Sequence, residues 1–194
     1  MKIIEGKDLI WDTDKYEVIL VGTSIYNMLT QGFQSKMYVK YPYIEDSNNA
    51  TPYADRRKYG KRITIDSVDG SPIISLMYIC GYPHCKREYL NYEALEQCLS
   101  TAAVEFKNKK IAMPIVGSSQ FDGNGDKQKC LTMIEKIMGD LDVTVYDFPQ
   151  LQKRVEIANL LSQFNVYFEN KQWDIYNKLK KNKKQIVKEH YLRY

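Results

Sequence analysis

The stretch of this 194-residue chain best suited to chemistry is residues 115–130, IVGSSQFDGNGDKQKC. It leaves an apolar run, passes through small and flexible residues, and enters the start of a helical pattern. Glycines let a backbone approach an anion closely, and a helix start offers unbonded N–H groups with a favourable dipole. A phosphate or diphosphate is the natural guest of such a loop. The spacings of the P-loop and of GxGxxG are both absent, and a plain polar connection from strand to helix has the same composition. A second loop of the same kind changes that balance. Val21-Gly22-Thr23-Ser24 leaves another apolar run, and Thr30-Gln31-Gly32-Phe33-Gln34 stands just before a helical segment. Two such loops at the carboxyl ends of strands could face each other across a crevice, where open α/β sheets bind ligands.

Those loops need strands and helices to carry them. Val18-Ile19-Leu20-Val21 reads as a buried strand, since it is continuously apolar. A helix is expected to begin in the segment that runs through Leu29 and Gly32 to Met37. Residues 41–62 are polar and tyrosine-rich and read as mostly loop. Residues 63–65 and 72–80 read as strands joined by a hairpin turn at Val68-Asp69-Gly70-Ser71. Asn91 is placed to cap a helix presenting Ala94, Leu95, Cys98, Leu99, Ala102 and Phe106 on one face. Residues 110–116 form the next strand, followed by a helix carrying Cys130, Leu131, Ile134 and Ile137 that Gly139 ends. Residues 143–148 are a last strand. Strands alternating with amphipathic stretches give a sheet covered by helices. After Pro149 the alternation stops, and residues 151–161 and 171–192 read as two helices, the second with an apolar stripe at Trp173, Tyr176 and Leu179. No internal repeat occurs. The expected division is residues 1–149 as one domain and 150–194 as a basic helical extension.

Composition narrows the function classes. The chain is 44% hydrophobic and 27% charged, which suits a globular protein. No apolar run approaches the ~18 residues that span a bilayer, and the N-terminus lacks the apolar stretch of a signal peptide. The expectation is a cytoplasmic protein with no membrane partner. Its four cysteines are then reduced thiols, with Cys98 and Cys130 on apolar helix faces. Cys80, His84 and Cys85 lie close together, but no second Cys-x-x-Cys or His pair accompanies them, so no metal is assigned. The net charge of +4 is uneven. Residues 170–194 carry eight Lys or Arg against Asp174 and Glu189, giving +6 and leaving about −2 for the rest. A lysine-rich helix face is usually just solvated; weak contact with nucleic-acid phosphates is the alternative.

Residues 78–148 resemble the macrodomain branch that contains terminal ADP-ribose glycohydrolases and ADP-ribose-1″-phosphate phosphatases. The resemblance rests on the strand Ile74 to Ile79, Tyr92-Glu93-Ala94-Leu95, Ile111-Ala112-Met113-Pro114, the loop Gly117 to Gly123, and Val143-Thr144-Val145-Tyr146. Upstream, Gly6-Lys7-Asp8-Leu9-Ile10 is similar to the family's early Gly-Asp-Ile element with one residue inserted. The likeness covers residues 1–148 and leaves out the tail. It implies a three-layer α/β/α fold with a mixed central sheet, here with a C-terminal helical extension, and a ligand of the ADP-ribose type without any cofactor. Asp8 would accept from the adenine amine, with Leu9 and Ile10 beside it. Gly22, Thr23, Ser24, Gly32 and Phe33 would meet the diphosphate and distal ribose. Gly117, Ser118, Ser119, Gln120, Phe121, Gly123 and Asn124 would wrap the diphosphate from the other side, and Tyr146 or Phe148 would stack on the adenine. Asp122, in Phe121-Asp122-Gly123, looks like the family's aspartate at the distal ribose, where it could bind hydroxyls or act as base or nucleophile. The family's glycohydrolases also use a lysine shortly after the strand ending near Ile79. This chain has Cys80-Gly81-Tyr82-Pro83-His84 there, with Lys86 following. The resemblance therefore implies binding of ADP-ribose or an ADP-ribosylated substrate, followed by hydrolysis at the distal ribose. The rival reading is a non-catalytic reader or sponge of such ligands.

Overall fold

The segment Val18–Ser24 is buried at every position and forms the middle of the sheet. Its side chains alternate, with Val18 and Leu20 in one apolar cluster and Ile19 and Val21 in another. A period of two along the apolar run Val18-Ile19-Leu20-Val21 puts a hydrophobic layer on each face, and both layers must be covered. In the computed structural model, residues 1–27, 32–81, 89–119 and 122–148 are described. The two helices expected in residues 150–194, with their apolar stripe and lysines, lie outside the described residues.

Among the described residues six strands form one sheet: β1 (Lys2–Glu5), β2 (Val18–Ser24), β3 (Arg62–Ile65), β4 (Ile73–Cys80), β5 (Ile111–Pro114) and β6 (Val143–Asp147). Their order is β1-β6-β5-β2-β4-β3. All neighbours are parallel except β3 and β4, which form an antiparallel hairpin at one edge. The sheet is therefore mixed, as expected. Helices α1 (Phe33–Lys40) and α2 (Tyr43–Asn49) bury Met37, Tyr38 and Ile44 on one face. Helices α3 (Tyr92–Glu105) and α4 (Lys127–Met138) bury Leu95, Cys98, Leu99, Cys130 and Ile134 on the other. Each fully buried Leu or Ile contributes about 1.5–3 kcal/mol relative to exposure. The result is a three-layer α/β/α fold. No helix among the described residues is long and apolar enough to cross a membrane.

Local chemistry sets the boundaries. Asn91 caps α3 by accepting the Ala94 N–H at 3.0 Å, and Asp126 caps α4 by accepting the Lys129 N–H at 2.7 Å. The β3–β4 connection turns at Asp69 and Gly70, both left-handed at φ 49° and 80°, as a two-residue hairpin turn requires. Gly139 does end α4, but in right-handed conformation at φ −60°. Close packing makes it a glycine, because a Cβ there would stand 2.4 Å from the Glu135 carbonyl oxygen.

Two expectations need correction. Residues 41–62 are not mostly loop, since they hold α2 and a 3-10 turn at Arg56–Lys58. Helix α2 turns only one apolar side chain, Ile44, inward; its other buried side chain is Asn48. Asn48 donates to the Tyr38 hydroxyl at 2.8 Å and accepts from that of Tyr78 at 2.8 Å. A buried amide leaves no hydrophobic period to read. The edge strand β1 was also missing from the sequence reading, because Ile3 and Ile4 alone make too short a pattern.

Candidate functional site

The sheet order creates a switch point. From β2 the chain moves outward through α1 and α2 to β3 and β4, whereas from β5 it moves the opposite way through α4 to β6. Adjacent parallel strands whose connections diverge leave a crevice at their carboxyl ends. The carboxyl ends of β2 and β5, from which the glycine- and serine-bearing segments leave, flank that crevice; Thr30 and Gln31 lie outside the described residues.

The loop after β5 folds back on itself. Gly125 N–H donates to the Gly117 carbonyl at 2.9 Å, and Asn124 N–H to that of Ser119 at 2.8 Å. Leu90 underlies the loop, donating its N–H to the Gly123 carbonyl at 2.9 Å. Added Cβ atoms at Gly117, Gly123 and Gly125 would all come within 3 Å of Leu90 side-chain atoms. Within the loop, Asp122 turns its carboxylate inward. Oδ2 accepts the Gly117 N–H at 3.0 Å and Oδ1 the Ser119 N–H at 2.7 Å. Burial pushes this carboxyl from 3.8 up to about 6, against the pull of those hydrogen bonds. Ser118 donates its hydroxyl to the Ile115 carbonyl at 2.7 Å, and Asn124 is exposed at φ 52°. Gln120 and Phe121 lie outside the described residues.

Across the crevice, β2 comes close at Gly22. A Cβ there would stand 3.7 Å from Asp122 Oδ2 and 2.9 Å from Ile79 Cδ1. Gly22 of β2 and Asp122 of the loop after β5 are thus brought together. The negative charge of Asp122, after burial, helps raise the Cys80 thiol well above its ordinary pKa. Thr23 and Ser24 turn to structural work. The Thr23 hydroxyl accepts from Gln34 at 2.6 Å, holding α1, and that of Ser24 donates to the Gly81 carbonyl at 2.6 Å, tying β2 to β4. Gly32 precedes α1 at φ 99° and, as a glycine, supplies no side-chain cap; the positive end of the helix dipole lies there.

A second cluster lies beyond β1 and β6. Asp8, 5% exposed, caps the 3-10 turn Leu9–Trp11 by accepting the Ile10 N–H at 3.3 Å, and it also pairs with Lys36 of α1. The Lys36 ammonium lies 5.2 Å from the Phe148 ring centre. Leu9 and Ile10 sit in the core beneath. Tyr146 is only 2% exposed, packs edge-on against Tyr16, and donates to Asp12 at 2.9 Å. Of the two rings proposed for stacking, Phe148 is the one beside Asp8 and half-exposed.

Lys36 and Leu90 were missed by sequence reasoning. Neither has a motif; Lys36 is one helical lysine among many, and Leu90 matters only through three glycines distant in sequence. His84, Cys85 and Lys86 lie outside the described residues. Among those described, no cluster of three His, Cys, Asp or Glu could hold a metal ion.

No protein-family model matches this chain, and no curated protein does. Solved structures do. A Bacteroides thetaiotaomicron protein of unknown function superposes with a TM-score of 0.60 at 18% identity, covering 76% of this chain and 99% of that one. The macrodomain of Mycobacterium tuberculosis DarG gives 0.58 at 18%, covering 75% and 97%. Thermosipho africanus DarTG, solved in complex with ADP-ribose, gives 0.60 at 12%, covering 77% of this chain and 42% of that one. The fold is that of a macrodomain.

Proposed function

We propose that this chain binds ADP-ribose or an ADP-ribose derivative in the crevice and hydrolyses a bond at its distal ribose. The observation that carries the reading is the Asp122 carboxylate, fixed by two backbone N–H groups at the switch point and facing glycine across the gap. The adenine lies at Asp8 and Phe148. A carboxylate has about four acceptor positions, so Asp8 keeps room for an amine after Ile10 and Lys36 are served. The diphosphate runs past Gly32 and the start of α1, where the positive end of the helix dipole favours it. It does not take the N–H groups of Gly117 and Ser119, because Asp122 already accepts them. The distal ribose then reaches Asp122, whose carboxylate suits hydroxyl donors.

In the hydrolytic step Asp122 takes a proton from water as the water oxygen bonds to the anomeric carbon. The bond from that carbon to the leaving oxygen breaks, and its electron pair departs with the leaving group. A base works best when its pKa is near the working pH, and a value of about 6 meets that condition. Asp122 as nucleophile, forming an ester with the anomeric carbon before water enters, uses the same geometry. The rival reading is a reader without turnover. It is favoured by the sequence after β4, where Cys80-Gly81-Tyr82-Pro83-His84 replaces the lysine of related glycohydrolases.

The deciding experiment follows release of ADP-ribose from ADP-ribosylated protein and nucleic acid by the wild type and by Asp122→Asn. The variant keeps the shape and removes the basicity. Loss of a positioned proton-transfer group costs about a hundredfold or more in rate. Equal rates remove Asp122 from the mechanism, and no turnover by the wild type with binding intact makes the chain a reader.

A further inference from the structure

A cavity of about 350 Å³ opens away from the crevice, between the 3-10 turn Arg56–Lys58, the start of β3 and Tyr78 near the end of β4. None of the residues lining it belongs to β5 or to the loop that carries Asp122. Four cations line it, Arg57, Lys58, Lys61 and Arg62, against the single carboxylate of Asp55. The four differ in what they can offer. Lys58 is buried, donating to the Ile25 carbonyl at 3.2 Å, the Thr51 hydroxyl at 2.8 Å and the Pro52 carbonyl at 3.1 Å, and also to the Asn27 side chain. Its ammonium stands 4.0 Å from the centre of the Tyr78 ring. Arg62 gives a hydrogen bond from each guanidinium nitrogen, to Thr101, Ser75 and Glu105. Lys58 therefore supplies fixed positive potential rather than free donors, and the charge of Arg62 is met by Glu105 at 2.6 Å.

Arg57 and Lys61 are different. Arg57 holds Asp55 through Nε and Nη2, which leaves Nη1 to point elsewhere, and its side chain is 83% exposed. Lys61 is exposed, and no hydrogen bond or ion pair engages its ammonium among the described residues. A recess with two available cationic donors over the buried ammonium of Lys58, which meets only neutral acceptors, is attractive to an anion. Its volume sits at the lower end of small-molecule pockets, about 300–1,000 Å³, which is more than a bare phosphate fills. At the rim, Pro52 lines the cavity and the next residue, Tyr53, is 67% exposed, its ring edge-on to that of Tyr26 at 5.7 Å. An exposed aromatic face beside cations is how nucleotides are held without regard to sequence.

We propose that this cavity is a second anion site, which takes the phosphate group of a nucleotide while the base lies on Tyr53. The phosphate meets Lys61 and Arg57, and the potential of Lys58 stands behind them. The site is independent of Asp8 and Asp122 and does not rest on the reading of the crevice.

The test titrates the full chain with thymidine 5′-monophosphate, which lacks the adenine amine, and maps the site by backbone amide shifts. Thymidine and inorganic phosphate are run beside it. The nucleotide should bind at least tenfold tighter than thymidine, with shifts centred on residues 53–62. The Arg57→Gln/Lys61→Gln double variant should lose at least tenfold, and because both side chains are exposed the core stays intact. Tyr53→Ala should weaken the nucleotide several-fold and leave inorganic phosphate unchanged. An oligothymidylate without a terminal phosphate distinguishes the source. If it binds with the same dependence on Arg57 and Lys61, the group read is a backbone phosphate; if it does not bind, the site takes the terminal monoester. Equal binding of thymidine and its monophosphate, an unaffected double variant, or shifts confined to Gly22 and residues 117–125 would each overturn the proposal.

Discussion

Asp122 Oδ1 accepts the backbone N–H of Ser119 at 2.7 Å, three residues back along the same loop. With the Gly117 N–H on Oδ2, the glycine-rich loop already cradles an anion, and that anion is its own side chain. Loops of this composition usually present such donors to a phosphate. Here they fix a carboxylate instead, and the ligand group that meets them has to be one that complements a carboxylate.

Stability should carry the signature of that carboxylate. Its pKa rises from 3.8 in the unfolded chain to about 6 in the fold, chiefly through burial. The folded state therefore holds the proton more tightly. The contribution is fully present below pH 3.8 and is lost as pH rises through 6. Chemical denaturation of the wild type and Asp122→Asn between pH 4 and 8 reads it. The wild type should gain stability relative to the variant as pH falls from 7 to 4. A difference that does not change with pH would mean that the carboxyl titrates normally.

Asp8 makes a separable prediction. If its carboxylate accepts from the adenine amine, Asp8→Ala should weaken ADP-ribose by roughly 1.5–3 kcal/mol, the worth of a hydrogen bond to a charged group. Part of any loss comes from Lys36, which is left without its partner. A hypoxanthine analogue, lacking the amine, separates the two. It should be far less sensitive to the substitution, and equal losses would assign Asp8 to holding the 3-10 turn and α1.

The loop's shape depends on Gly123. A Cβ there would stand 2.7 Å from the Gly117 carbonyl oxygen and 2.9 Å from Leu90 Cβ. Neither is the far end of a flexible side chain, so the backbone itself must move. Gly123→Ala should cost about 1–3 kcal/mol, as overpacking does, and lower the melting temperature by about 2–4 °C for each kcal/mol. ADP-ribose binding should fall with it, because Asp122 moves. Unchanged melting and binding would show that the loop tolerates a different path.

Much of this was legible in the sequence, for physical reasons that can be named. Val18-Ile19-Leu20-Val21 is apolar throughout, and only a strand covered on both faces needs that. Asn91 and Asp69-Gly70 announce a cap and a turn because few residues can do those jobs. The crevice was expected from two glycine-bearing loops, and the strands they leave, β2 and β5, are neighbours at the switch point. What could not be read were roles fixed by tertiary contact. Thr23 and Ser24 have the chemistry of ligand donors, yet their hydroxyls are engaged by Gln34 and Gly81. Tyr146 and Phe148 look alike in sequence, and only burial separates them. Helix α2 was hidden because Asn48 fills a core position through hydrogen bonds. Lys36 carried no motif, though it stands between Asp8 and Phe148.

The central claim is that the crevice recognises adenine, diphosphate and distal ribose together, and calorimetric titration of the full chain with ADP-ribose and with AMP tests it most directly. ADP-ribose should bind in the crevice with micromolar-class affinity, about −8 kcal/mol. AMP, with one phosphate and no distal ribose, should bind more weakly, because it cannot reach from Phe148 past Gly32 to Asp122. Equal affinity for the two ligands, or no binding of either, would contradict the account.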